Sequence, residues 1–212
     1  ISKRLYQELA RKNVFEFGYK ERGLLMLYKT SETEKEEIEA ARLANAFGVE
    51  AHVLSLGEVQ RLEPSVRLDA RGAIYFPGDA HINPQLFING LKEYVEGRGV
   101  VIFKNTNIED FIVKSNKIDG VTVRGEIKTF DEFVVATGAW SGILCSRLNI
   151  DLPMQSGKGY SFTLSEVSKN IQIPTLLLEG RVAVTPIGTS LRFGGTMEIG
   201  NTNRSVNMNR GR

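Results

Sequence analysis

Apolar residues in this chain fall into two alternating textures, one with helical spacing and one with the short runs of strands. Ala40, Leu43, Ala44 and Phe47 lie at i, i+3, i+4 and i+7, with Ser31 and Glu34 as a capping box ahead and Gly48 as a stop. That pattern predicts an amphipathic helix over 32–47. Ser55 with Glu58 repeats the capping box and opens a short helix that Pro64 closes, its charges Glu50, Glu58, Arg61 and Glu63 reading as a solvated face. Asn83 is a good N-cap with Pro84 at N1, where a missing N–H costs nothing. Phe87, Leu91, Tyr94 and Val95 then give one apolar face, and Gly97 ends the helix. Leu5 and Leu9, at helical spacing within 1–12, predict the end of a further helix.

The strand texture begins with Phe15 and Phe17 alternating with polar residues, and with Leu24–Tyr28 after Gly23, which together predict two paired strands. Gly72–Phe76 is a short strand leading into the loop PGDAHINP. Val100–Phe103 is an unbroken apolar run of the parallel, doubly buried kind. A meander follows at 108–113, 118–123 and 126–130, joined at KSNK and RG. Phe133–Ala136 then reads as a buried strand that ends at Thr137-Gly138, with a helix beginning at Ala139-Trp140-Ser141. In an open α/β sheet, ligands sit at the carboxyl edge of a strand beside a helix start. Free N–H groups there favour a phosphate. From Ile150 onward the texture is β-rich, so boundaries are expected near 78 and 150. The flanks 1–77 and 150–212 then join around a middle part, 78–149.

Composition narrows the function classes only slightly. The chain has 212 residues, 42% hydrophobic and 25% charged, with a formal net charge of +2. Its basic residues are scattered rather than striped, which argues against nucleic-acid binding. One cysteine, Cys145, excludes an intrachain disulfide and a Cys-based metal site, and it is expected as a buried thiol. No apolar run approaches a membrane span, and the first residues do not read as a signal peptide. Both ends, the helix-like start at Ile1 and the polar NMNRGR, read as cuts. His81 beside Asp79 offers an acid–base pair or only a turn, while no Ser/His/Asp signature, P-loop or metal spacing occurs. Trp140 reads as a packing residue.

Several strings occur in a specific order: Gly78-Asp79, the helix from Asn83, VVIF, the meander, Ala136-Thr137-Gly138-Ala139-Trp140-Ser141, Pro153, Lys158-Gly159-Tyr160-Ser161, and Val182–Ile199. This order resembles the later part of the D-amino-acid oxidase-like FAD-dependent flavoproteins, with KGYS and RFGGTMEI nearest the D-amino-acid dehydrogenase branch. The resemblance implies an α/β fold of the FAD/NAD(P)-binding type with an antiparallel meander, plus a mainly antiparallel α+β substrate domain. It implies an enzyme in which the α-hydrogen of a D-amino acid leaves as hydride to flavin N5 and the imine product is hydrolysed. Thr137, Gly138 and Ala139 should approach the FAD diphosphate or ribose, and Ile108 the adenine through its main chain. Lys158 and Tyr160 should lie near the flavin, or else Lys158 snorkels from a strand that crosses between domains. Arg181 and Arg192, expected on substrate-domain strands, are candidates for a substrate carboxylate.

The departures from the family pattern set further expectations. No G-x-G-x-x-G follows a strand anywhere in the chain, nor does a Gly-Leu-Arg-Pro-like loop appear. The chain is therefore expected to be an internal fragment, without bound FAD and inactive by itself, its catalytic residues lying elsewhere. A glycine- or sarcosine-oxidase-type enzyme and a catalytically silent structural piece are the alternative readings. A small amino acid or amine is the expected partner, with a quinone or other electron acceptor, in the cytoplasm or peripheral at the inner membrane.

Overall fold

The computed structural model describes residues 2–200, 202, 205 and 206; the polar NMNRGR end lies outside the described residues. The chain divides into two compact units, one of residues 2–100 and 159–196, the other of 101–158 with the described residues from 197 onward.

The first unit is built on the strand β1 (Leu24–Tyr28). It pairs antiparallel with β3 (Gly72–Phe76), which in turn pairs with β2 (His52–Ser55). On its other side β1 pairs in parallel with β8 (Thr175–Leu177), and β9 (Val182–Ile187) and β10 (Ser190–Gly200) follow. With β7 (Ser156–Leu164) at the far edge, the sheet order is β2-β3-β1-β8-β9-β10-β7. Alternation along β1 sends Leu25 and Leu27 to one face, where they pack with Val59 of α3 (Leu56–Leu62), Ala73 and Ile173. Tyr28 and its neighbour Met26 go to the other face, with Ile74, Ala51 and Ala41 of α2 (Ser31–Ala46). The buried Leu, Ile and Val side chains among these each contribute about 1.5–3 kcal/mol relative to exposure.

Caps and glycine stops place the helices much as expected, with two corrections. The N-cap of α2 is Thr30, whose side chain accepts from the Thr33 N–H, rather than Ser31. Its buried position is Ala41, while Leu43 and Phe47 are exposed, so the inward stripe is rotated from the expected one. The capping box of α3 forms as expected at Ser55 and Glu58. Glu63, expected on a solvated face, is 1% exposed instead. Its carboxylate accepts the Gln172 and Ile173 N–H groups at 2.9 and 2.7 Å, which offsets the cost of burying a charge.

Phe15 and Phe17 form no strand with β1. They join Tyr6 of α1 (Ser2–Arg11) and Phe87 and Tyr94 of α4 (Pro84–Glu96) in a ring cluster with centroids 5.3–6.3 Å apart. Packing a large apolar area against two helices outweighs the strand propensity of a three-residue alternation.

The second unit contains the expected meander, β4 (Asp110–Lys114), β5 (Lys117–Val123) and β6 (Glu126–Thr129). Ser115-Asn116 and Arg124-Gly125, all at positive φ, make its two-residue turns. Neither Val100–Phe103 nor Phe133–Ala136 becomes a strand. Val101 and Phe103 are about 70% exposed (71% and 70%), and Val134 is 90% exposed. A buried parallel strand needs a non-local neighbour on each side, and the described residues supply none for these two segments.

Candidate functional site

The turn at Thr137 is set by one glycine. Gly138 has φ +55°, a left-handed conformation that costs a residue with a Cβ about 1 kcal/mol or more. A Cβ built there would meet nothing within 4 Å, so the glycine is required by backbone angle and leaves open space ahead of it. Gly138–Trp140 form one 3-10 turn, closed by the Trp140 N–H donating to the Thr137 carbonyl at 3.2 Å. The helix α5 (Ser141–Ser146) follows. Thr137 Oγ1 and Ser141 Oγ are 3.1 Å apart, and Ser141 is buried, which ties the turn to the helix. The expected helix start is thus present, but it is short and no strand leads into it. Trp140, expected to pack, is 45% exposed.

The second unit holds two clefts, one of them at this turn. Ala139 and Gly142 line one of about 420 Å³, together with Leu152, Met154, Ser156 and Gly200. Ile108 lines the other, an apolar cleft of about 750 Å³, with Val101, Phe103, Val121, Ile127 and Phe130. Both volumes fall in the range of small-molecule sites. Thr137, Gly138 and Ala139 are contiguous; Ile108 belongs to the separate apolar cleft.

The substrate-side candidates are dispersed. Lys158 Nζ donates to the Ser205 carbonyl at 2.7 Å and lies 3.5 Å from the Glu198 carboxylate, so its charge is engaged. Tyr160 is half-buried on β7. Arg181 lies in the turn before β9 at φ +50°, not on a strand as expected. Arg192 is on β10, exposed, and donates from Nη2 to Ser161 Oγ at 3.0 Å.

His81 is not joined to Asp79 through Nδ1, which is buried without a hydrogen-bond partner. Burial, then the nearby charges of Lys20 and Arg22, hold its imidazole below the usual histidine value. It is neutral at pH 7 and lines a small cleft of about 150 Å³. Cys145, expected as a buried thiol, is only partly buried. The described residues contain no cluster of His, Cys, Asp and Glu fit for a metal, and no helix long and apolar enough to cross a membrane. Sequence reasoning missed Glu63, whose partners Gln172 and Ile173 lie 109 and 110 residues along the chain and leave no local signal.

Known proteins resemble this chain in sequence and in fold. The sequence profile of the DAO family, FAD dependent oxidoreductase, matches residues 1–211. D-amino acid dehydrogenase of Helicobacter pylori is 28% identical over 207 residues, 97% of this chain and 49% of that protein. The Methylobacterium nodulans D-amino acid dehydrogenase is 29% identical over 94% of this chain and 49% of its own length. The chain thus spans about half the length of the curated relatives it matches. Glycine oxidase from Geobacillus kaustophilus superposes with a TM-score of 0.82 at 22% identity, covering 98% of this chain and 56% of that one. L-proline dehydrogenase from P. horikoshii superposes at 0.76 and 20% identity, over 91% and 52% of the two chains. An ordered sequence match over nearly its whole length, on a shared fold, places this chain in the family of FAD-dependent oxidoreductases.

Proposed function

We propose that the chain is part of an FAD-dependent enzyme that oxidatively deaminates amino acids, D-amino acids being the substrate class named for its curated relatives. The observation that supports this most is Gly138, a left-handed glycine with open space ahead of it in the turn that matches the family's cofactor turn. Thr137, Gly138 and Ala139 would offer backbone to the diphosphate or ribose. Ile108 would offer its main chain to the adenine at the rim of the apolar cleft. Bound FAD would supply the acceptor for the substrate's α-hydrogen. The residues present fit one wall of such a site, because the chain carries no G-x-G-x-x-G cradle. The meander unit is then the cofactor-binding part, and the seven-stranded sheet the substrate part. Lys158, which pairs with Glu198, and Tyr160, Arg181 and Arg192 would be the substrate-side groups.

The test is spectroscopic. The protein expressed from its complete reading frame should show visible flavin bands that bleach anaerobically with D-amino acids and not with their L-enantiomers. A colourless protein that takes up no added FAD would overturn the reading and leave a structural role. Bleaching by glycine or sarcosine alone would transfer it to the amine-oxidase type. Comparing oxygen with a soluble quinone during turnover identifies the electron acceptor.

A further inference from the structure

Two short backbone runs in the first unit bound a small cleft that none of the cofactor-side or substrate-side residues lines. Lys20 and His81 exchange backbone hydrogen bonds at 2.9 Å in both directions, and the Asn83 N–H donates to the Phe17 carbonyl at 2.9 Å. Alternation along 17–20 brings the rings of Phe17 and Tyr19 together, centroids 6.0 Å apart, while Gly18 and Lys20 line the cleft. Gly188, at φ +61° in the hairpin turn between β9 and β10, lines it too. The volume of about 150 Å³ matches about five waters at about 30 Å³ each. The side chains that meet there present donors and positive charge. His81 Nδ1 is buried and unmet, and a buried lone pair goes unmet more readily than a buried N–H. The neutral ring therefore carries its proton on Nε2, which is not enclosed in this way. The charges that act on this ring are those of Lys20 and Arg22, both positive. Neither of these side chains is in an ion pair among the described residues. Neighbouring carboxylates are already bonded: Glu16 accepts from the Gly18 N–H at 2.7 Å, and Glu21 from Gln7 and Tyr19 at 2.8 and 3.0 Å. Asn83 Oδ1 takes the Gln85 and Leu86 N–H groups at 3.0 and 3.2 Å, so α4 offers the cleft its dipole rather than free donors.

We propose that this cleft binds a small oxyanion of the phosphate class, with Lys20 and the Nε2–H of His81 as its donors. Two positive side chains without a negative partner leave a local potential that such an anion neutralises. A phosphate group has oxygens enough to accept from the ammonium and the ring together and still face Arg22, whereas a carboxylate has only two. Every residue of the site belongs to the first unit, and the turn at Gly138 belongs to the second. The inference goes beyond the flavoenzyme reading and holds with or without bound flavin.

Nuclear magnetic resonance of isotope-labelled protein from the complete reading frame, titrated with inorganic phosphate at constant ionic strength, tests the site without requiring turnover. The amides of Gly18, Lys20, His81 and Gly188 should shift along one saturating curve, with a Kd on the order of 1 mM. Lys20→Gln should weaken binding by roughly tenfold, as expected for a lost charged hydrogen bond, and Lys20→Arg should restore most of it. Lys20 is exposed, so neither change disturbs the core. His81→Phe, which removes the ring donor, should weaken binding severalfold. Excess FAD should leave the curve unchanged. Methyl phosphate that binds as well as inorganic phosphate would identify the ligand as a phosphoryl group on a larger molecule, and phosphate binding alone would identify the free ion. Three results would each overturn the assignment: no saturating shift at these amides up to about 10 mM phosphate, an affinity within about twofold of the parent in Lys20→Gln, or displacement of the phosphate by FAD.

Discussion

Two carboxylates bonded to backbone N–H groups respond to pH in opposite directions. Glu63 is 1% exposed, and burial pushes its carboxyl above the ordinary value while the N–H groups of Gln172 and Ile173 pull the other way, burial prevailing. A carboxyl raised in the folded state gives most stability below its unfolded value and loses it as pH rises through the folded value. Glu63→Gln should therefore be less sensitive than the parent to a rise from pH 4.5, read as the thermal midpoint against pH. Glu63→Ala leaves the Ile173 N–H buried and unmet, and should cost about 1–3 kcal/mol in urea unfolding. Glu179 behaves conversely. It accepts the Lys29 and Thr30 N–H groups at 2.8 and 3.1 Å, and these bonds bring its carboxyl down to about 2. The stability it contributes is present above its unfolded value near 4.5 and is lost as pH falls toward about 2. Glu179→Gln should flatten the unfolding profile in that acid window, by a modest amount because the group is exposed to solvent. An unchanged acid slope would remove Glu179 from this role. Neither carboxylate was legible in the sequence as a backbone clamp, since their partners lie 109 and 150 residues away.

At the scale of elements, what was legible was what is local. The capping box at Ser55, the Asn83-Pro84 start of α4, its Gly97 stop and the two positive-φ turns of the meander all depend on neighbours within a few residues, and all form. The turn at Gly138 belongs to the same class. What failed depends on partners distant in sequence: the stripe of α2 that faces inward, the fate of Phe15 and Phe17, and the two apolar runs that stay unpaired. Apolar composition says that a run will be buried if a neighbour is present, not where that neighbour is. Helix α4 provides a test of non-local packing. A Cβ at Gly90 would lie 2.7 Å from Phe15 Cγ and 3.0 Å from its Cβ, inside the ring cluster. Alanine gains about 1 kcal/mol of helix propensity over glycine. The overlap with Phe15 should cost about 1–3 kcal/mol and outweigh that gain. Gly90→Ala should thus lower the urea midpoint, and Phe15→Ala in the same chain should relieve the clash, making the two changes non-additive. A more stable Gly90→Ala protein would show that Phe15 has somewhere else to go.

For the whole molecule, the distribution of buried apolar groups differs sharply between the units. Both core clusters, around Leu25 and around Tyr28, belong to the first unit. Among the described residues of the second, Val121 alone is a buried hydrophobic, while Val101, Phe103, Ile127, Phe130 and Val134 are each more than half exposed. Val101, Phe103, Ile127 and Phe130 line one apolar cleft, and exposed apolar surface gathered in this way marks a place where something else packs. The three-stranded meander also has little of a face buried, and sheets of that size draw their stability from the layer they pack on. The 212-residue chain should therefore open in two steps. Amides of β1, β3 and β8 should exchange with solvent only through the largest opening, whereas those of β4, β5 and β6 should exchange through a smaller, separate one. Native-state hydrogen exchange at increasing urea reads this directly. Protection of the two sheets that merges at low denaturant would mean that the units unfold as one. The same polypeptide should enhance the fluorescence of a hydrophobic dye, and replacing Val101 and Phe103 together by serine should reduce that signal without moving protection in β1. Loss of protection at Leu25 or Ile74 in that double variant would show instead that the exposed run supports the first core.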